Sequence, residues 1–233
     1  VLVYVFGIDL LASTDASRWL TWIAAFTIIA ASVVALTKDN LKARLAYSTI
    51  SQLSYIVLGG ALATSAGVVG GGMHIAMHAF GKITLFFCAG AILVGAHKSE
   101  ISEMDGLGRR MPFTFGAFLL GSLSVIGLPP MGGSWSKWYL MLGTIEAGQL
   151  ALMVVLMASS LLSIGYLMPV VARGFFRPPP DDGHGDQGNG GNPGIREAPL
   201  LCVMPPVLTG IGCVVLFFYA EDVFRLLMGI VTP

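Results

Sequence analysis

Charge is what this sequence has least of. Only 11% of its residues are Asp, Glu, Lys or Arg, where a soluble globular domain has about 25%. So thin a supply cannot coat a water-facing surface, whereas 55% hydrophobic residues suit a chain whose exterior faces lipid. The formal net charge is zero, so the basic footprint that nucleic acid requires is missing. Cysteine is scarce too. Cys88, Cys202 and Cys213 lie in apolar runs without CxxC spacing, and they read as small apolar residues rather than a metal or redox site. No cofactor is implied, because neither a cysteine cluster for iron–sulfur centres nor a Gly-rich dinucleotide loop is present. The period-two alternation of barrel strands is also absent. Long, uniformly apolar runs become helices in lipid, where each unpaired backbone group is costly.

Spanning the hydrocarbon takes roughly 20 apolar residues as a helix. The candidate runs are Trp19–Leu36, Leu45–Ala63, Val68–Ala96, Met111 to about Leu142, Leu150–Ala172 and Pro199–Tyr219. The opening VLVYVFGIDLL is apolar from its first residue. It reads as the last turns of a membrane helix, not a signal peptide, so the chain is expected to be the C-terminal part of a longer protein. The fold class is therefore all-α, a polytopic transmembrane bundle. Residues 1–177 form the bundle, as a fragment helix plus five spans. Residues 178–197, with PPPDDGHGDQGNGGNPG, form a disordered linker in which His184 is merely solvated, and 198–233 form a C-terminal transmembrane helix.

Lys and Arg alternate between loops. Lys38, Lys42 and Arg44 share one, Lys98, Arg109 and Arg110 lie two connections later, and Arg173, Arg177 and Arg196 two further on. The intervening loops hold almost none. By the positive-inside rule the basic loops are cytoplasmic and the C-terminus is outside, as expected of a multi-pass protein of a bacterial cytoplasmic membrane.

Two lysines remain inside apolar spans, Lys82 and Lys137. Lysine at the bilayer centre costs about 2.5–3.5 kcal/mol on the insertion scale. Lys82 lies about 20 Å from either end of its run, too far to snorkel, so it must face other helices or internal water. His74 and His78 precede it at i, i+4, i+8, one stripe of a helix. Histidine changes charge near neutral pH, so three ionisable groups on one stripe point to a proton path rather than a metal site, for no carboxylate or Cys shares it.

The segment 111–145 is too long for one straight span and contains GLPPMGGSWSK. Pro129 and Pro130 remove backbone donors and Gly132 and Gly133 loosen the turn, so the helix should break there. Broken membrane helices are tolerated where backbone lines a cavity, and they mark ion sites. Lys137 follows the break. Tyr47 and Ser51, among the hydroxyls entering the second span, are possible pathway residues, though structural glue between helices is the plainer reading. Glu146 is a possible exit carboxylate or simply solvated. No catalytic set is present, since Ser134 and Ser136 have no His and carboxylate beside them in sequence.

Four stretches, DNLKARLAYSTISQLSY, HIAMHAFGKITLFFCAGAI, IGLPPMGGSWSKWYL and REAPLLCVMPPVLT, resemble the antiporter-like membrane subunits shared by Mrp-type cation/proton antiporters, respiratory complex I and membrane-bound hydrogenases. SKWYL and REAP are most similar to the D-type component of the Mrp antiporters. The resemblance implies the second of two inverted repeats plus the final helix. It also implies a proton relay in which Lys82, Lys137, His74 and His78 match family positions. Partners would be other membrane subunits, with protons and Na+ or K+ as cargo. The alternative is a pump subunit of complex I or of a hydrogenase.

Overall fold

The computed structural model describes residues 2–13, 15–178 and 194–231. Residues 179–193, including His184 and most of the expected linker, lie outside the described residues. After a π-helical turn (Leu2–Phe6) come α1 (Ile8–Ser13), α2 (Asp15–Thr37), α3 (Leu41–Ala61), α4 (Ser65–Ala96), a one-turn α5 (Leu107–Arg110), α6 (Pro112–Ile126), α7 (Gly133–Glu146), α8 (Leu150–Phe176), α9 (Leu200–Phe218) and α10 (Ala220–Val231). Among the described residues there is no strand beyond the single bridge between Asn40 and Glu100. The all-α membrane bundle with a broken helix stands.

Four helical segments are long and apolar enough to cross a membrane: Ser17–Thr37, Ser65–Ala96, Leu150–Phe176 and Leu200–Phe218. The surface they present is apolar, with Trp19 and Phe26 of α2, Leu161 of α8 and Leu208 of α9 all exposed. In water such a surface would aggregate, whereas against lipid it is at rest. At 21 residues, α3 is as long as α2's apolar segment, but it turns its polar face inward. Arg44, Ser48, Ser51 and Gln52 are buried while Ile50, Leu53 and Val57 are exposed. The broken pair α6 and α7 is too short to span as single helices.

α4 is the centre of the bundle, packing against α3, α6, α7, α9 and α10. Its approach to α7 is close because small residues meet: a Cβ on Gly143 would sit 2.5 Å from the backbone of Gly67, and one on Gly70 2.6 Å from Leu140 N. In lipid, where no hydrophobic force drives helices together, this small-residue contact is what association relies on. Asn40 and Thr64 cap the starts of α3 and α4 by accepting from Ala43 N and Gly67 N.

The three basic loops meet at one end of the bundle. The Asn40 amide donates to Glu100 at 2.9 Å, Arg173 and Arg177 lie 3.5 and 3.4 Å from Asp105, and Arg109 Nε donates to Phe175 O at 2.9 Å. The start of α9 is tied to the same end. Arg196 N donates to Arg110 O at 2.8 Å, and the Glu197 carboxylate accepts from Phe113 N and Thr114 Oγ1, each at 2.7 Å. Glu197 thus caps α6 from 83 residues away, which the sequence did not reveal. Nor did it reveal α10, which folds back so that Phe224 stacks on Tyr139 at 4.9 Å.

Glu197→Ala removes that cap and should cost about 1 kcal/mol of stability, read as a lowered thermal midpoint of the purified protein in detergent. Lys98→Ala breaks only the exposed 3.9 Å pair with Glu103 and should leave the midpoint unchanged.

Candidate functional site

The site begins where α6 ends. Gly127 adopts φ +89° and its N–H returns to Leu123 O at 2.9 Å, closing the helix; a glycine in the left-handed region at a helix C-terminus is the common stop. Pro129 and Pro130, joined by a cis peptide bond, and Gly132 carry the chain to α7. Gly133 sits so close to α6 that a Cβ there would collide with Ser124 O. The four residues read as helix breakers lie in or at the edge of the 127–133 interruption.

A helix that stops inside a bundle leaves its last carbonyls without intrahelical partners. Lys137, one turn into α7, meets one of them. Its amine donates to Ile126 O at 2.9 Å and to Ser160 Oγ of α8 at 3.0 Å, and it stands 5.2 Å over the Tyr55 ring. The side chain is 6% exposed. A cavity of about 410 Å³ adjoins it, lined by Tyr55, Gly127, Trp138, Leu156 and Ser160 among others.

The stripe on α4 is buried as well. Tyr55 and His74 stack with ring centroids 5.4 Å apart, and His74 and His78 follow at 5.7 Å. His74 is held on both sides, by Ser136 Oγ of α7 at 2.9 Å and by the Gln52 side-chain oxygen of α3 at 3.1 Å. His78 Nε2 and Gln52 Nε2 are buried with no hydrogen-bond partner among the described residues, although buried polar atoms are nearly always satisfied. Lys82, 5% exposed, donates to Ser48 Oγ at 2.6 Å and to Leu45 O at 3.3 Å. Ser48 in turn contacts the Tyr166 hydroxyl at 2.8 Å. Desolvation here is severe for any charge, so each amine needs the oxygens that surround it.

The structure therefore gathers His74, His78, Lys82 and Lys137 into one buried polar axis between α3, α4, α7 and α8. The other candidates lie apart from it. Tyr47 is half-buried beside Lys38, whose amine is 5.5 Å from the ring. Ser51 sits in a knot with Ser32 and Ser159, 2.9 and 3.3 Å away. Glu146 is exposed and accepts from Ala66 N at 3.2 Å, at the start of α4. Tyr55, Ser136, Ser160, Ser163 and Tyr166 were not foreseen. A signal for the α8 set was present, because Ser159, Ser160, Ser163 and Tyr166 recur at helical spacing within an otherwise apolar span.

Gly127 is doubly constrained, by its φ and because a Cβ would lie 2.7 Å from Lys137 Cδ. Gly127→Ala should therefore lower stability by about 1 kcal/mol or more. Gly116→Ala, where a Cβ meets nothing within 4 Å, is the control; the thermal midpoints of the two variants check this.

Residues 1–163 match the family described as NADH:quinone oxidoreductase/Mrp antiporter, TM. The chain is 38% identical over 208 residues to NADH-quinone oxidoreductase subunit N of Desulforudis audaxviator, across 88% of this chain and 41% of that relative. Its fold matches a chain of the Mrp complex from Dietzia sp. with a TM-score of 0.80 and 22% identity, covering 96% of this chain and 49% of that one. A chain of respiratory complex I from Thermus thermophilus gives 0.77 and 21%, covering 96% and 44%. The chain spans less than half the length of each. These likenesses, with the broken helix and its buried lysine, make the chain a member of the NADH:quinone oxidoreductase/Mrp antiporter family of membrane subunits.

Proposed function

We propose that the chain is a proton-translocating subunit of an Mrp-type monovalent cation/proton antiporter, working with other membrane subunits in a bacterial cytoplasmic membrane. The observation that carries the reading is the burial of two amines inside the bundle, Lys82 and Lys137, on one polar axis with His74 and His78. Such groups at membrane depth are costly and mark ion pathways and proton relays. Protons would pass between Lys82 and Lys137 by way of the stacked histidines. The unpartnered nitrogens of His78 and Gln52 are suited to bind the water that closes gaps between rings. Movement of charge between the lysines would drive Na+ or K+ movement in partner subunits. The meeting of all three basic loops at one end of the bundle supports a cytoplasmic placement for that end and an outside C-terminus. The SKWYL and REAP motifs favour the Mrp branch.

A second reading has its own support. The 38% identity is to an NADH-quinone oxidoreductase subunit, which favours a pump powered by redox partners.

Lys82→Ala and Lys137→Ala should each lower proton transport by tenfold or more in proteoliposomes containing the assembled complex, with assembly intact. Wild-type rates in both would remove the relay. Transport that runs on an Na+ or K+ gradient alone supports the antiporter, whereas transport that runs only with an electron donor supports the second reading.

A further inference from the structure

Beyond Lys82 the polar contacts continue as an unbroken line of hydroxyls. Lys82 Nζ donates to Ser48 Oγ at 2.6 Å, Ser48 meets the Tyr166 hydroxyl at 2.8 Å, Tyr166 meets Ser163 Oγ at 2.9 Å, and Ser163 donates to Ser159 O at 2.9 Å. Every side chain in the line is buried. We propose that Tyr166 is a positioning residue that couples this hydroxyl line to the charge on Lys82. The proposal rests on Lys82 being a relay group and adds to it a residue on α8.

Counting hydrogens gives the line a direction. Each hydroxyl has one hydrogen to donate and lone pairs to accept. With Ser163 donating to Ser159 O, Tyr166 must donate to Ser163 and Ser48 to Tyr166, so Ser48 offers only lone pairs to the amine. That polarity suits an ammonium, which has hydrogens to give and nothing to accept. A neutral amine keeps two hydrogens and can still donate to Ser48, but its buried lone pair then goes unserved; serving it requires the line to turn round, with Ser163 donating to Tyr166, Tyr166 to Ser48 and Ser48 to Lys82. Turning round gives up the bond to Ser159 O. Four bonds hold the charged state; the neutral state keeps four only with its lone pair unserved, and three once the line has turned. The two states thus differ by rotation of three hydroxyls, with no heavy atom moved.

Tyr166 is itself fixed. Arg44 of α3 donates to Tyr166 O at 3.0 Å and to Lys38 O at 2.7 Å, tying the line to the loop after α2. The other ionisable groups around Lys82 are few. α3 brings Arg44 and Tyr55, α7 Lys137, α8 Tyr166, and α4 itself His74 and His78. α6 has none, α9 only Cys202 and Cys213, and the charged residues of α10 (Glu221, Asp222 and Arg225) are all exposed.

Removing either end of the Tyr166 contact lets Ser48 serve the neutral amine's lone pair with no bond given up elsewhere, which erases the preference for the charged state. Tyr166→Phe and Ser163→Ala should both move the alkaline limb of the transport pH profile to lower pH, by about half to one unit, the worth of one hydrogen bond. The measurement uses the assembled complex in proteoliposomes, with proton movement followed by an internal pH dye, and Lys82→Ala is run alongside. If Lys82→Ala abolishes transport and both limbs shift downward, the coupling holds. If Lys82→Ala abolishes transport and either limb stays in place or rises, the coupling is wrong while the relay stands. Full transport in Lys82→Ala overturns the relay and the coupling with it. Should the Phe variant fail to assemble, Ser163→Ala, which leaves the ring in place, decides by itself.

Discussion

A lysine ammonium carries three hydrogens, and inside a lipid-facing bundle they need partners supplied by the chain. Leaving them unmet would cost several kcal/mol, more than helix propensity or capping can recover. Much of the local architecture follows from this demand. At Lys137 it is met by Ile126 O and Ser160, with the Tyr55 ring beside them. The first is accessible only because α6 stops there, and the second only because α8 presents a serine at that level. The break between Gly127 and Gly133 and the amine that follows it are therefore one device. A continuous helix would have kept Ile126 O for its own ladder.

The same demand explains why α4 and α7 must approach so closely. Ser136 reaches His74 at 2.9 Å only while α7 lies against the glycine-rich face of α4 at Gly67 and Gly70. Helix contacts in lipid are held by van der Waals packing and interhelical hydrogen bonds, and here the two reinforce each other. The small residues set the distance, and the polar pair fixes the rotation that brings histidines to face hydroxyls. On its other side α4 carries Val69, Met73 and Met77 against α10. One helix therefore has a dry face and a polar face along the same length.

What could be read from residues alone divides along physical lines. Apolar run length is a local property, so the helices emerge near their expected limits, and Pro129 with Pro130 marks the interruption. The stripe His74, His78, Lys82 was legible because helical periodicity places i, i+4 and i+8 together on any helix. The partners of those groups were not, because they are set by which helices adjoin. Ser48 and Tyr166 are 118 residues apart, and Thr114 and Glu197 are 83 apart. The α10 helix is illegible in the sequence for another reason. It is amphipathic and short, so it does not form a uniformly apolar run. Tyr47 and Ser51 share the polar stretch that also contains Ser48, and only the packing of α3 against α4 and α8 distinguishes them.

The two lysines are buried alike but are not held alike, and the difference bears on what each can do. Lys137 rests on a carbonyl, which accepts and never donates, and on a single serine. The carbonyl can serve only the amine's hydrogens, whichever way Ser160 turns. Lys82 has its shortest contact with a hydroxyl, one of a line whose members can each donate or accept. A group surrounded by rotors meets a change of charge with small motions, whereas one anchored on main chain must move its stem to find a new partner. On this ground Lys82 is the better suited of the two to alternate between charge states in place. Lys137, held across the helix break beside its cavity, is the better suited to couple its charge to movement of the break itself.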